Sequence, residues 1–287
     1  MPSFLHVHGI IPSRVIMYRA EQIEIAIRAA EIANRPVCLH SSLRSFGYVE
    51  GGASAVINAF LAAGCTLLAP TFSWGFAVPP SIDQRIAQNG WDYDNYSGPT
   101  AGIGRIFDPN TKEIDKDMGA IAAAILNHPA AVRGNHPICS FTALGPLAHR
   151  LILGQSGNNV YRPLDMLANL DGDVVLAGVS LDKMTLIHLA EKRAGRNLFR
   201  RFASDASGQP TAVEAGGCSD GFEKLAEPLQ DLRRTAGVGE SLWQIFPARA
   251  TLAKATAFIQ VDPWITHCER TDCDRCNDAV KGGPIVG

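Results

Sequence analysis

The stretch from Asp173 to Glu191 limits the fold more than any other part of the chain. An apolar run, Asp173-Val174-Val175-Leu176-Ala177-Gly178-Val179, breaks into a polar turn at Ser180-Leu181-Asp182 and continues through Thr185, His188 and Glu191. A short run of Val and Leu closed by a turn reads as a buried strand. Ser180 or Asp182 can cap a helix behind it. Thr185, His188 and Glu191 recur every three residues, so that helix carries a hydroxyl, an imidazole and a carboxylate on one face. A strand feeding a helix puts this face at the carboxyl edge of a sheet, where open α/β sheets hold ligands. Imidazole, with an ordinary pKa of about 6.5, moves protons near neutral pH, and an adjacent carboxylate can fix its tautomer. Taken alone, the segment also fits a surface helix with a solvated His and Glu.

The rest of the chain repeats the strand-and-helix pattern. Tyr18 to Ala33 has the spacing of an amphipathic helix, and residues 1–17 are weakly patterned. Pro36-Val37-Cys38-Leu39-His40 is a short strand running into Ser41-Ser42-Leu43. A helix from Ser54 to Ala63 and a strand from Cys65 to Ala69 follow, which predicts parallel pairing. Residues 75–117 hold Pro79-Pro80, Trp91, Tyr93 and Tyr96 and read as a long irregular excursion, a lid or insertion. In it Asp92 and Asp94 suit either a cationic substrate or tight turns. Further helices are expected over Met118–Leu126, Ala143–Leu153 and Thr251–Val261. Residues 202–221 read as a polar, Gly-rich loop, Phe222–Arg234 as amphipathic, and Leu242–Phe246 as a strand. The basic run Lys192, Arg193, Arg196, Arg200, Arg201 fits a solvated face or attraction of an anionic cofactor.

Composition excludes several classes. The 287 residues are 46% hydrophobic and 19% charged with a net charge of −2, enough for one large α/β domain and without a basic surface for nucleic acid or a membrane. No apolar run reaches the roughly 18–20 residues that span a bilayer; the richest, Ala53 to Pro70, contains Ser54, Asn58, Gly64 and Thr66. With no signal-peptide pattern, a soluble cytoplasmic protein is expected. Of seven cysteines, Cys38, Cys65 and Cys139 fit ordinary buried thiols. An odd count argues against a disulfide framework.

Four stretches together resemble the aminoglycoside 3-N-acetyltransferase family. They are Leu39-His40-Ser41-Ser42-Leu43-Arg44-Ser45-Phe46-Gly47 with Gly51-Gly52; Thr66 to Phe72; Met118-Gly119-Ala120-Ile121 with Ala131-Val132-Arg133, His136-Pro137, Ser140 and Ala143-Leu144-Gly145-Pro146; and Tyr161-Arg162-Pro163 through Leu176-Ala177-Gly178-Val179 to Thr185, His188 and Glu191. The resemblance implies one acetyltransferase domain over 1–287, a three-layer α/β/α fold with a central mixed, largely parallel sheet, and acetyl transfer from acetyl-CoA to a small-molecule amine. It implies His188 as catalytic histidine at the acceptor, Glu191 beside it, and His40 as the second active-site histidine. Ser41, Ser42 and Leu43 would lie along the pantetheine arm, and Arg133, Asn135 and His136 in the loop associated with the cofactor. The chemistry agrees: a protonated amine cannot attack a thioester, and a general base contributes about 10²–10⁴-fold. His40, Ser41 or backbone N–H groups are candidate donors to the oxyanion.

Two departures bear on the acceptor. Where the family carries Arg-Ser-x-His-Pro, this chain has Arg133-Gly134-Asn135-His136-Pro137, and where a Glu usually follows Met-Gly-Ala-Ile it has Ala122, Ala123 and Ala124. A lost acid favours a biosynthetic or other small amine over a polycationic aminoglycoside. A third reading is a non-catalytic CoA- or metal-binding relative.

The Cys-rich tail 262–287 is extra to the family pattern. Cys268-x₄-Cys273-x₂-Cys276 has the spacing of half a zinc site, which Cys218 or His267 could complete as a structural, four-ligand centre. The same spacing fits a plant-type iron–sulfur cluster less well, because no fourth Cys lies downstream. Free thiols on a polar tail, or Cys218 as a nucleophile, are the rivals.

Overall fold

A computed structural model describes residues 16–95 and 98–286; residues 1–15, Tyr96, Ser97 and Gly287 lie outside that range, and with them most of the weakly patterned start and one aromatic of the excursion. The strands are β1 (Met17–Tyr18), β2 (Pro36–Ser41), β3 (Tyr48–Val49), β4 (Thr66–Pro70), β5 (Ala77–Val78), β6 (Val132–Arg133), β7 (Phe141–Leu144), β8 (Asp173–Ala177), β9 (Phe199–Ser204), β10 (Pro210–Ala215), β11 (Arg234–Val238) and β12 (Ser241–Pro247). The helices are α1 (Ala20–Ala29), α2 (Gly52–Ala62), α3 (Gly119–Asn127), α4 (Ala148–Ile152), α5 (Arg162–Asn169), α6 (Leu186–Arg193), α7 (Ala248–Val261) and α8 (Asp274–Val280).

The main sheet has seven strands in the order β11-β12-β8-β2-β4-β7-β6. It is mixed, as expected. Parallel pairing is confined to the centre, where β2 lies between β4 and β8; the outer strands pair antiparallel. The sheet is therefore less parallel than the family resemblance implies. For one of the antiparallel pairs the reason is local: β11 and β12 are joined by the tight Gly239-Glu240 turn, and a turn that short only makes an antiparallel hairpin.

Central strands are apolar on both sides because both sides are covered. Val174 and Leu176 join one apolar cluster, with Leu164, Ile187 and Leu252 from α5, α6 and α7. Val175 and Ala177 join another, with Ile23, Val56 and Ile121 from α1, α2 and α3. Trp243 is the largest fully buried side chain of the second cluster, stacked on Phe60 at 5.5 Å with Phe46 edge-on at 5.8 Å. Its Nε1 is buried without a hydrogen-bond partner. Trp243→Ala is expected to cost about 3–5 kcal/mol. Trp243→Phe keeps the stack and removes the unpaired N–H, so urea melts should place it much closer to the parent.

Two segments differ from their sequence reading. Ala143 and Leu144, expected as the start of a helix, instead end β7 (Phe141–Leu144), which pairs antiparallel with β4. Gly145 ends it at φ +123°, where a Cβ would lie 2.8 Å from the Cys65 carbonyl. Residues 199–215, read as part of a basic run and a polar, Gly-rich stretch, form the β9–β10 hairpin, whose turn is held by the Asp205 carboxylate accepting from the Ser207 and Gln209 N–H groups. The excursion packs on this hairpin through β5. Asp92 is a turn residue, accepting from the Asp94 N–H and the Asn95 amide. Among the described residues no helix is long and apolar enough to cross a membrane.

Candidate active site

Parallel pairing of β2 with β8 sets His40 beside Leu176 and Ser41 beside Ala177, so both strands end at the same sheet edge. Leaving β8, the chain makes a turn over Leu181–Lys183 and enters α6, with Thr185 at the N-cap. His40, Ser41, Thr185 and His188 thus share the wall of one cleft of about 400 Å³. Phe72, Trp74, Asp117 and Met118 close it from the two ends of the excursion, and Gly216, Gly217 and Ser219 from the end of β10.

His188 is 8% exposed, and its Nδ1 lies 2.8 Å from Glu191 Oε2 one turn along α6. Tyr161 stacks parallel to the imidazole at 6.0 Å and Phe222 meets it edge-on at 4.8 Å. Gly216 passes so close that a Cβ there would strike the Tyr161 hydroxyl and come within 2.7 Å of the imidazole Cδ2. The ring is therefore held on three sides. Glu191 is buried as well, and its second oxygen accepts from Arg196 Nη1 (2.5 Å) and the Thr266 hydroxyl (2.9 Å). Burial pushes this carboxyl up, but His188, Arg196 and Thr266 outweigh it and hold Glu191 below the ordinary carboxylate value. An ionised Glu191 accepting at Nδ1 leaves Nε2 of a neutral His188 as the proton acceptor.

His40 is pushed down to about 4 by burial, so it is neutral at pH 7. Its Nε2 lies 3.6 Å from the Cys38 sulfur. Ser42 and Leu43 follow Ser41 into a turn over Leu43–Phe46; both are half-buried, neither lines the cleft, and Leu43 packs against the apolar cluster of α1, α2 and α3.

Arg133 and His136, which the resemblance associates with the cofactor, have their polar groups committed within the framework. Arg133 is buried, and all five of its N–H groups are used on Ser140 Oγ, the Thr111, Glu113 and Thr71 carbonyls, and Ser73 Oγ. Burial pushes it down to about 10. His136 is fully buried; Nδ1 accepts from the Ile138 and Cys139 N–H groups, so Nε2 donates to the Glu214 carbonyl. Asn135, between them, is exposed. The basic run is also internally paired: Arg196 with Glu191, Lys192 and Arg200 with Glu214, Arg193 with Asp165. Arg196 and Thr266 belong to the site: Arg196 was read only as one of a basic run, and Thr266, 75 residues from Glu191, carried no signal in the sequence.

The four cysteines 218, 268, 273 and 276 converge: their sulfurs all lie within 4.8 Å of one another. His267 is not among them; its Nε2 meets Asn277 Oδ1 at 3.0 Å and its Nδ1 accepts from the Glu269 N–H.

The family model for aminoglycoside 3-N-acetyltransferase matches residues 38–260. The chain belongs to that family. Aminoglycoside N(3)-acetyltransferase VIII of Streptomyces fradiae is 32% identical over 199 residues, 59% of this chain and 65% of that relative; the match thus falls just short of two thirds of the relative's length. The fold is shared with apo aminoglycoside acetyltransferase AAC(3)-IVa, at a TM-score of 0.74 and 24% identity over 94% of this chain and 99% of that one. It is also shared with the AAC-IIIb binary complex with CoASH, at 0.69 and 19% over 86% and 97%.

Both departures from the family pattern have a structural counterpart. A Cβ at Gly134 would overlap Gln155 Oε1, which accepts the Phe141 N–H at 3.0 Å. The space for a serine is filled by Gln155. Of Ala122, Ala123 and Ala124, where the family usually has an acid, Ala122 lines the cleft.

Proposed function

We propose that the protein is an acetyl-CoA-dependent N-acetyltransferase, one domain throughout, with His188 as general base. The observation that carries this is the buried His188–Glu191 pair set in the wall of a cleft in a chain of this family. In this reading the acceptor amine meets His188 Nε2, which takes its proton as the nitrogen attacks the thioester carbon. The carbon–sulfur bond then breaks, and the CoA thiolate leaves and is protonated. No covalent enzyme intermediate is needed. The resulting imidazolium faces ionised Glu191, which Arg196 and Thr266 keep in place. Neutral His40 and the Ser41 hydroxyl are the candidate donors to the thioester oxygen. In this reading the pantetheine arm runs past Ser41 in the cleft wall toward Ser42 and Leu43, which follow it in the chain. Zn²⁺ on Cys218, Cys268, Cys273 and Cys276 would be structural, since four protein thiolates leave no open position for substrate.

Acceptor identity divides the readings. Relatives are named for aminoglycosides. Here the cleft wall carries Asp117, Asp182, Lys183 and Arg275, and Ala122 from the Ala122–Ala124 stretch where the family usually has an acid. This mixed charge favours a small amine that is not a polycation. Thiol release from acetyl-CoA, measured with a panel of 2-deoxystreptamine aminoglycosides and a panel of unrelated small amines, separates the two. Release on the second panel alone is expected. No release on either, with acetyl-CoA still bound, would overturn the catalytic reading in favour of a binding protein.

A further inference from the structure

We propose that the four-cysteine centre is a zinc knot that positions the catalytic pair, so that metal occupancy sets turnover. The inference rests on the acetyltransferase reading for its kinetic arm only.

The donor set fits zinc. Tetrahedral Zn–S bonds of about 2.3 Å separate sulfurs by about 3.8 Å. Four sulfurs already within 4.8 Å of each other need to close by only a small side-chain adjustment. Two N–H groups also face the sulfurs, as thiolates favour: Cys268 N–H to Cys276 at 3.4 Å, and Arg270 Nη2 to Cys273 at 4.0 Å. Cys218, Cys273 and Cys276 are buried, and Cys268 is half-buried.

The ligands come from two distant parts of the chain, and each is joined by one or two residues to a part of the active site. Cys218 follows Gly216, whose backbone packs against the His188 ring, and Gly217, which packs on Phe199; both glycines line the cleft. Two residues before Cys268 stands Thr266, whose hydroxyl holds Glu191 Oε1. Between Cys273 and Cys276 is Arg275, which lines the cleft and packs on Gly90 of the excursion. Tying the two ligand segments together therefore fixes the far wall of the His188 ring, a hydrogen bond to its carboxylate partner, and a cation in the cleft. With the knot open, no other covalent or metal link holds 216–219 against 266–276, since all the cysteines are free. A displacement near 1 Å at a catalytic group can cost about 10²-fold.

The test uses full-length, tag-free protein. Inductively coupled plasma mass spectrometry should find about one zinc per chain, as a closed tetrathiolate site requires. Cys276→Ser, and Cys268→Ser should the first fail to fold, is expected to lose the metal. Hydrogen–deuterium exchange should then rise across 216–219 and 263–268. With an accepted amine, kcat should fall at least about tenfold while the acetyl-CoA Kd moves by less than about twofold. A general loss of structure would weaken acetyl-CoA binding too, which separates it from a lost positioning role. His188→Ala should keep both zinc and slow exchange, so failure of the base assignment and failure of the knot give different results. Parent protein with iron, with disulfides among these cysteines, or with no metal overturns the proposal. So does a zinc-free variant whose exchange and kcat match the parent.

Discussion

His188→Ala is expected to lower kcat by about a hundredfold or more while leaving the acetyl-CoA Kd within about twofold of the parent. The imidazole is the one base in the cleft wall that is backed by an ionised carboxylate and held by Tyr161, Phe222 and Gly216. Removing it deletes the proton acceptor and leaves Glu191 paired with Arg196 and Thr266, so the framework behind the site survives. The split between kcat and Kd is the diagnostic part, measured by thiol release and by calorimetric titration of acetyl-CoA. A variant that keeps more than about a tenth of the parent kcat would sink the assignment. Acidification offers a second check. Glu191 is held below its ordinary value, so its contribution to stability is present above about pH 4.3 and is lost as pH falls through the lower folded-state value. His40 and His136, both pushed down to about 4 by burial, add in the same direction: the unfolded chain takes up their protons first, so stability falls as pH drops below about 6.5.

Arg133→Ala is expected to cost about 3–5 kcal/mol of stability without weakening acetyl-CoA binding. The guanidinium joins the end of the excursion (Thr111, Glu113) to the exit of β4 (Thr71, Ser73) and to Ser140, and every N–H is committed. Its removal leaves buried carbonyls and hydroxyls without their donor, and Phe107 without the cation over its ring at 5.1 Å. Arg133→Lys cannot restore five divergent hydrogen bonds and should recover little. Denaturant melts and acetyl-CoA titration of the same preparation decide it. Near-parent stability with a Kd raised tenfold or more, about 1.4 kcal/mol or greater, would return Arg133 to the cofactor.

How much of this could be read from residues alone varies along the chain. Short apolar runs with turn residues after them gave β2, β4 and β8 to within a residue or two, because a strand buried on both faces has no polar positions to confuse the pattern. Strands away from the parallel centre of the main sheet were less legible. In β9, Arg200 and Arg201 look solvated, yet Arg201 is buried with its guanidinium 3.9 Å over Trp91. In β7, Phe-Thr-Ala-Leu is too short for its period to separate strand from helix. The C-terminal cysteines were legible through spacing; that Cys218 completes the set depends on where the β10 exit docks.

Local sequence was enough for the His188–Glu191 pair, because residues three apart on a helix face the same way whatever surrounds them. It was also enough for the strand-to-helix junction that presents the pair at a sheet edge. The roles of Arg133, His136, Arg196 and Thr266 needed the folded chain. A buried polar side chain takes whichever partners its surroundings leave unpaired, and for these four the partners lie as far as 78 residues away. The same holds for the convergence of Cys218 with Cys268, Cys273 and Cys276: it is a property of packing between distant segments, which no local period encodes.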